Sequence, residues 1–181
     1  MPRNVNALVL LSNDHRAVEE LFGRLRNPKH VNRGVNRGAT IDRLIQELSV
    51  HAEIEEEILY PAVRRNVDGG RRLANHAEEE HDEVKAMLDE LAQMDPDSRE
   101  AEELIEELHQ SVSSHVAEQE GPDGLFEQLR ASMDEESLQE LGPQITEAKI
   151  ARTVKTPVPE DDEDVKPRPI DVGGRMFGGR R

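Results

Sequence analysis

The segment from His51 to Pro61 reads HAEIEEEILYP and places Glu55 four residues after His51. Side chains four residues apart lie on the same face of an α-helix, so these two can reach one metal site together. His-x-x-x-Glu also occurs by chance on the solvated faces of Glu-rich helices. Here the pair continues an apolar stripe at helical spacing, which indicates that it points into the protein. The stripe comprises Ile41, Leu44, Leu48 and Ile58.

Three other segments carry a histidine on an apolar helical stripe, at His15, His81 and His115. A single histidine in such a position is more often a hydrogen-bonded core residue than a ligand. Four of them on four consecutive predicted helices indicate one polar cluster inside a bundle, which is costly to bury unless it binds something. Imidazole and carboxylate groups suit transition metals, and a pair of irons is the simplest candidate.

The spacing of apolar residues predicts four amphipathic helices with short connections. The first covers residues 5–26, and Thr40 and Ser98 are the predicted N-caps of the second and the fourth. Pro61 is expected to kink the second helix rather than to end it. Short connections imply antiparallel neighbours, so we predict an all-α, up-down-up-down four-helix bundle with a short extra C-terminal helix at about 135–149.

Residues 1–150 are predicted to form this domain, and residues 151–181 are predicted to be a disordered tail. The composition changes at Thr153, after which acidic residues and prolines leave too few apolar side chains to build a core. Residues 173–181 are rich in Gly and Arg, which is compatible with binding to an acidic surface. A purely solubilising tail is the simpler interpretation.

The composition excludes several classes of protein. The 39 acidic residues outnumber the 23 basic residues and give a net charge of −16, which argues against binding to nucleic acid or to an anionic membrane. The chain has no cysteine, so disulfides, iron–sulfur clusters and thiolate zinc sites are excluded. We see no membrane span and no apolar leader segment, and therefore expect a cytoplasmic protein.

The motifs around the four histidines resemble those of the hemerythrin-like (HHE cation-binding) family, over roughly residues 5–150. The segments that carry this resemblance are DHRAVE at 14–19, HAEIEEEILYP at 51–61, EHDEV at 80–84 and HVAEQE at 115–120. The resemblance implies a centre of two non-haem iron ions, bridged by an oxo or hydroxo group when oxidised, inside a four-helix bundle. The ligands that it implies are His15, His51, Glu55, His81 and His115.

The third helix departs from the pattern of hemerythrins proper, which place two histidines four residues apart. Here His76 lies five residues before His81, and Ala77 occupies the four-residue position. On a regular helix, His76 would point about 140° away from His81, so it could bind metal only if a π-bulge intervened. The alternative is a surface histidine. In that case one iron would keep an open position for a small ligand.

The fourth helix departs as well, because Gln119 stands where many relatives have Glu. A neutral amide is a poor bridge between metals, so Glu118 and Glu120 are the alternatives. We favour Glu120 because hemerythrins proper use His-x-x-x-x-Asp, and because Glu120 directly precedes Gly121-Pro122, where the helix must end. The predicted metal site therefore also includes His76 and Glu120.

Three functions fit such a site. The protein could bind or sense O2 or NO, react with peroxide or oxidise iron as an enzyme, or act without turnover as an iron store or iron-responsive interaction module. Tyr60 follows the metal-binding segment, as a packing phenol, a hydrogen-bond donor or a redox-active residue. No protein partner is indicated by the sequence, and it does not decide whether the protein is an enzyme.

Overall fold

The computed structural model describes residues 5–27 and 36–155, and these residues form helices and no strand. This confirms the all-α prediction. The helices are α1 (Ala7–Arg26), α2 (Arg37–Ile54), α3 (Tyr60–Asn66), α4 (Gly70–Leu91), α5 (Arg99–Glu120), α6 (Leu125–Ser132) and α7 (Glu135–Lys155). A π-helical turn, Glu55–Leu59, joins α2 directly to α3. Within the described ranges, none of the helices has both the length and the apolar character that crossing a membrane requires.

Four long helices form a ring, in which α1 and α4 each contact both α2 and α5. Two apolar clusters fill the ring, one at each end. The first joins the C-terminal halves of α1 and α4 to the N-terminal halves of α2 and α5, as expected if neighbours alternate in direction. The second joins the opposite ends of α1, α2 and α4 to α6 and α7. The four histidines lie between the two clusters along their helices.

The second helix continues through Pro61 by means of the π-helical turn. The Tyr60 N–H bonds to the Glu55 carbonyl, five residues earlier, and Pro61, which has no N–H to offer, stands in the first turn of α3. A π-helical turn brings residues five apart onto nearly the same face, whereas an α-helix would separate them by about 140°. The turn therefore aligns the side chains of Glu55 and Tyr60. Around His76, by contrast, α4 is a regular α-helix.

One of the two predicted helix caps is confirmed. The Ser98 hydroxyl accepts a hydrogen bond from the Ala101 N–H at the start of α5. The prediction of Thr40 as a cap is wrong, because the Asn36 side chain accepts from the Ala39 N–H and α2 begins at Arg37. Asn is as good a cap as Thr, and the earlier start adds a turn to the helix.

The C-terminal helix is longer than predicted, since α7 runs from Glu135 to Lys155 and passes the expected boundary at residue 150. It packs on α1 and α2, and Leu138 and Ile145 are each only 1% exposed. Their burial explains why the helix forms although Pro143 interrupts its sequence. The rest of the predicted tail, 156–181, lies outside the described residues.

Substitution by alanine should have opposite effects on stability at two glycines, one at the contact of α7 with the N-terminal segment and one inside α1. A Cβ at Gly142 would clash with the Val5 carbonyl oxygen, whereas a Cβ at Gly23 would meet nothing within 4 Å. Gly142→Ala should lower the free energy of unfolding by about 1–3 kcal/mol through overpacking. Gly23→Ala, the matched control inside α1, should raise it by about 0.5–1 kcal/mol. Urea denaturation followed by circular dichroism measures both, and a Gly142→Ala protein as stable as wild type would contradict this packing.

Candidate metal centre

Five buried side chains meet between the two apolar clusters and form two groups of metal-competent atoms. In the first group, His15 Nε2 lies 3.1 Å from His51 Nε2, which lies 3.4 Å from Glu55 Oε1. In the second, Glu55 Oε2 lies 3.3 Å from His81 Nε2 and 3.5 Å from His115 Nε2. Glu55 belongs to both groups, one oxygen to each. We call these five residues the donor cluster.

The separations within each group match those of ligands around one ion. Metal–nitrogen and metal–oxygen bonds of about 2.1 Å place neighbouring ligand atoms about 3.0–3.4 Å apart in octahedral or tetrahedral geometry. The observed distances between donor atoms are 3.1–3.5 Å. The residues present therefore fit a cation in either group, each of which contains one oxygen of Glu55.

Each imidazole of the donor cluster has a carboxylate behind it, facing its Nδ1. The pairs are His15 with Glu120 at 2.5 Å, His51 with Asp14 at 3.6 Å, His81 with Glu56 at 3.0 Å, and His115 with Glu80 at 2.8 Å. A carboxylate only accepts, so Nδ1 carries the proton in the three close pairs and donates it. This leaves the Nε2 lone pair for the interior, as in carboxylate–histidine–metal arrangements.

Electrostatics in the donor cluster keep positive charge next to Glu55. Burial alone would raise the pKa of Glu55, but the neighbouring imidazoles, His51 foremost, hold it well below its usual range. Burial lowers the pKa of His51, yet Glu55 and Asp14 outweigh this effect and raise it to about 9. Similarly, Glu55 and Glu80 overcome burial and raise the pKa of His115 to about 9. In the absence of metal, protons on these two imidazoles balance Glu55, and metal binding must displace them.

Three buried polar atoms in or beside the donor cluster have no hydrogen-bond partner: His51 Nδ1, Glu55 Oε1 and Gln119 Oε1. Buried polar atoms are nearly always satisfied in native proteins, so each one needs an explanation. Glu55 Oε1 is fully enclosed and faces His51 Nε2. A cation of the first group would contact both of these atoms. An unsatisfied anionic oxygen at this point fits a metal site better than a closed hydrogen-bond network.

Tyr60 and Gln119 fix the carboxylate of Glu55. The Tyr60 hydroxyl donates to Glu55 Oε2 at 2.8 Å, and the Gln119 amide donates to the same oxygen at 2.9 Å. Of the roles considered for Tyr60, the structure thus shows the hydrogen-bond donor. The Gln119 amide nitrogen is also 2.9 Å from His115 Nε2, so this side chain reaches the second group of donors.

The structure places the remaining sequence candidates outside the donor cluster. Glu120 faces the outer nitrogen of His15 and therefore orients that ring. The side chain of His76 is 56% exposed and lies near Glu80 and Glu118 on the surface, because the regular α4 helix turns it away from His81. The side chain of His109 is 15% exposed and pairs with Glu19 outside the donor cluster, and His30 lies outside the described residues.

Sequence reasoning missed three carboxylates that support the donor cluster: Asp14, Glu56 and Glu80. Two of them share a simple position, because each directly precedes a cluster histidine in the sequence. Asp14 precedes His15 and Glu80 precedes His81, yet each serves the histidine of a neighbouring helix. The signal available in the sequence was therefore an acidic residue next to a core histidine. The histidine that this carboxylate contacts could be identified only from the fold.

Lys149 of α7 contacts the rim of the donor cluster. Its ammonium group lies 2.5 Å from Asp14 Oδ1. Burial alone would raise the pKa of Asp14, but His51 and Lys149 lower it. The carboxylate behind His51 is therefore shared between an imidazole of the cluster and a cation from the C-terminal helix.

A small apolar cavity adjoins the four imidazoles. Its volume is about 30 Å³. Its apolar lining comes from the four long helices, at Val18, Leu48, Ala52, Val84, Val112 and Val116. Three of these residues, Val18, Val112 and Val116, also line a surface groove of about 470 Å³ between α1 and α5. The groove and the cavity are therefore neighbours, and His15 lines both.

Comparisons with known proteins agree with this architecture. The chain is 26% identical over 138 residues to a protein named DNA nickase from Nostoc sp. (strain PCC 7120 / SAG 25.82 / UTEX 2576), and the match covers 76% of this chain but only 33% of that protein. No solved structure matches the chain. The model of the hemerythrin HHE cation binding domain matches residues 6–129, which include the whole donor cluster. The chain therefore belongs to the hemerythrin HHE cation binding domain family.

Proposed function

We propose that the donor cluster holds two non-haem iron ions and that the protein binds or senses O2 or NO, or reacts with peroxide, at this centre. The observation that carries the proposal is the carboxylate of Glu55, whose two oxygens belong to two separate groups of donors, each completed by two imidazoles. Two ferrous ions, when bound, would supply the electrons and the open coordination positions for such a ligand.

The size of the apolar cavity supports a small ligand. A cavity of about 30 Å³ admits a diatomic molecule or peroxide and is far smaller than the pockets of roughly 300–1,000 Å³ that take organic ligands. Its apolar walls favour O2 and NO over water. The histidine-rich donor set keeps the centre more positive than a carboxylate-rich set would, which disfavours highly oxidised iron. Both features favour ligand binding over the oxidation of an organic substrate.

Tyr60 and Gln119 have a positioning role in this proposal. Because both donate to Glu55 Oε2, they hold the shared carboxylate in the orientation that serves both groups. The alternative is an iron store or iron-responsive interaction module without turnover, which would use the same ligands but not the cavity. A cytoplasmic location stays a prediction.

DNA nicking is not part of the proposal, although the Nostoc relative carries that name. The match covers only a third of the relative, so the nicking activity can reside in the remainder. A net charge of −16 also opposes binding to a polyanion.

The first prediction from this proposal concerns metal content. Glu55→Gln removes the shared carboxylate, so iron content after anaerobic reconstitution should fall from about two ions per chain to below one. The control Glu83→Gln changes an exposed carboxylate of α4 and should leave the content unchanged. Chelation should lower the melting temperature of wild type, with a loss of about 4 kcal/mol for each bound ion relative to metal at 1,000 times Kd. Equal iron content in Glu55→Gln and wild type, measured by elemental analysis, would refute the centre.

The second prediction separates the reactions. Val112→Phe fills the apolar cavity, so it should weaken NO and O2 binding by about tenfold or more through steric exclusion while iron content stays unchanged. The exposed Val9 offers a matched control as Val9→Phe.

A stable visible band after O2 is added to the ferrous protein indicates a carrier or sensor, and O2 release from added peroxide indicates an enzyme. If the iron-loaded protein reacts with none of the three ligands, the storage alternative replaces the proposal.

The third prediction concerns Gln119, where a carboxylate would approach both Glu55 and His115. Without metal, Gln119→Glu should destabilise the protein by about 1–3 kcal/mol, because it replaces a hydrogen-bond donor to Glu55 with a second buried carboxyl group. With iron bound, the added carboxylate becomes a ligand, and the melting temperature should rise more upon loading than in wild type. Thermal melts of both forms measure this reversal, and a variant whose gain on loading equals that of wild type would contradict it.

A further inference from the structure

A second set of metal-competent side chains lies on the surface beside the donor cluster. His76 and Glu80 come from α4 and Glu118 comes from α5, and one donor atom from each lies within 4.8 Å of the others. His76 Nε2 is 3.7 Å from Glu80 Oε1 and 3.6 Å from Glu118 Oε2. We call these three residues the outer group.

The spacing of the outer group differs from that of ordinary hydrogen-bonded pairs. Distances of 3.6–3.7 Å are too long for direct hydrogen bonds, although the side chains of His76 and Glu118 are more than half exposed and have room to approach. By comparison, His115 and Glu80 close to 2.8 Å in the same region. The two distances exceed the separation of about 3.4 Å between tetrahedral ligands by only 0.2–0.3 Å, a gap that the exposed side chains of His76 and Glu118 can close around a cation.

Glu80 connects the outer group to the donor cluster. Its Oε2 accepts from His115 Nδ1 at 2.8 Å, while its Oε1 is the atom that faces His76. His115 in turn belongs to the second group of donors with Glu55. One carboxylate thus stands between a surface histidine and a buried ligand.

The burial of the donor cluster makes direct entry of a hydrated metal ion costly. Its five residues are 0–8% exposed, so a hydrated cation cannot reach them without first losing water. Stepwise replacement of water by side-chain ligands at the surface would lower that cost. His76, Glu80 and Glu118 supply one imidazole and two carboxylates, the ligand types that ferrous ion accepts.

We propose that His76, Glu80 and Glu118 form an outer site that captures a divalent metal ion, and that Glu80 passes this ion to the donor cluster. The capture of the metal ion is inferred from the outer group alone. Only its transfer to the donor cluster rests on the proposed function. In this proposal the departure of His76 from the hemerythrin spacing is functional, because it places an imidazole at the surface.

The test uses Co2+ as the probe and compares wild type with the double variant His76→Ala/Glu118→Gln. Both of the substituted residues are exposed. Calorimetric titration of wild type should show one weakly bound ion beyond those of the donor cluster, and the double variant should lack it. Stopped-flow absorption should show the donor cluster of the variant loading about 10–100-fold more slowly, to the same final content. The control Glu83→Gln/Ser114→Ala removes one negative charge from the same two helices and should behave as wild type.

A further variant separates this proposal from the previous one. His51→Ala/His81→Ala removes one imidazole from each group of the donor cluster and leaves the outer group intact, so it should still bind one Co2+ weakly. If wild type loads no metal in the donor cluster but retains this ion, the proposed function fails and the outer site stands. A His76→Ala/Glu118→Gln protein that binds as many ions as wild type, and loads them at the same rate, would overturn the outer site.

Discussion

The burial of one carboxylate, that of Glu55, determines most of the arrangement around it. A fully enclosed anion is unstable unless cations and donors surround it. Four imidazoles, the Tyr60 hydroxyl and the Gln119 amide meet this requirement from five different helices. Each imidazole then needs its own anionic partner on the outer side. The result is a layered structure, with the carboxylate at the centre, imidazoles around it and further carboxylates towards the surface.

Much of this arrangement follows from local periodicity, and the rest from contacts between helices. The stripes that carry His15, His51, His81 and His115 predict both the bundle and the meeting point of these side chains. The pairing of Asp14 with His51 and of Glu80 with His115 could not be predicted, because it depends on which helices are neighbours and on how they are rotated. The π-helical turn escaped prediction as well, because the spacing of apolar residues does not show the contact of Tyr60 with Glu55.

The donor cluster divides the apolar core into two parts. Neither part depends on the polar layer for its own packing, so the bundle can retain its fold while the charge of the layer changes between protonated and metal-bound states. The cost of the layer is the desolvation of five ionisable groups. Protons on His51 and His115 offset that cost in one state, and metal ions do so in the other.

The contact of Lys149 with Asp14 has a mechanical consequence. The family match ends at residue 129, yet a side chain of α7 reaches the carboxylate behind His51. A second contact, between Arg152 and both Glu53 and Glu57, ties the same helix to the two turns that flank Glu55. A force that pulls α7 away from α1 and α2 must first break these ion pairs and thereby change the charge next to His51. Tension on α7 would thus alter the electrostatic environment of one imidazole of the donor cluster.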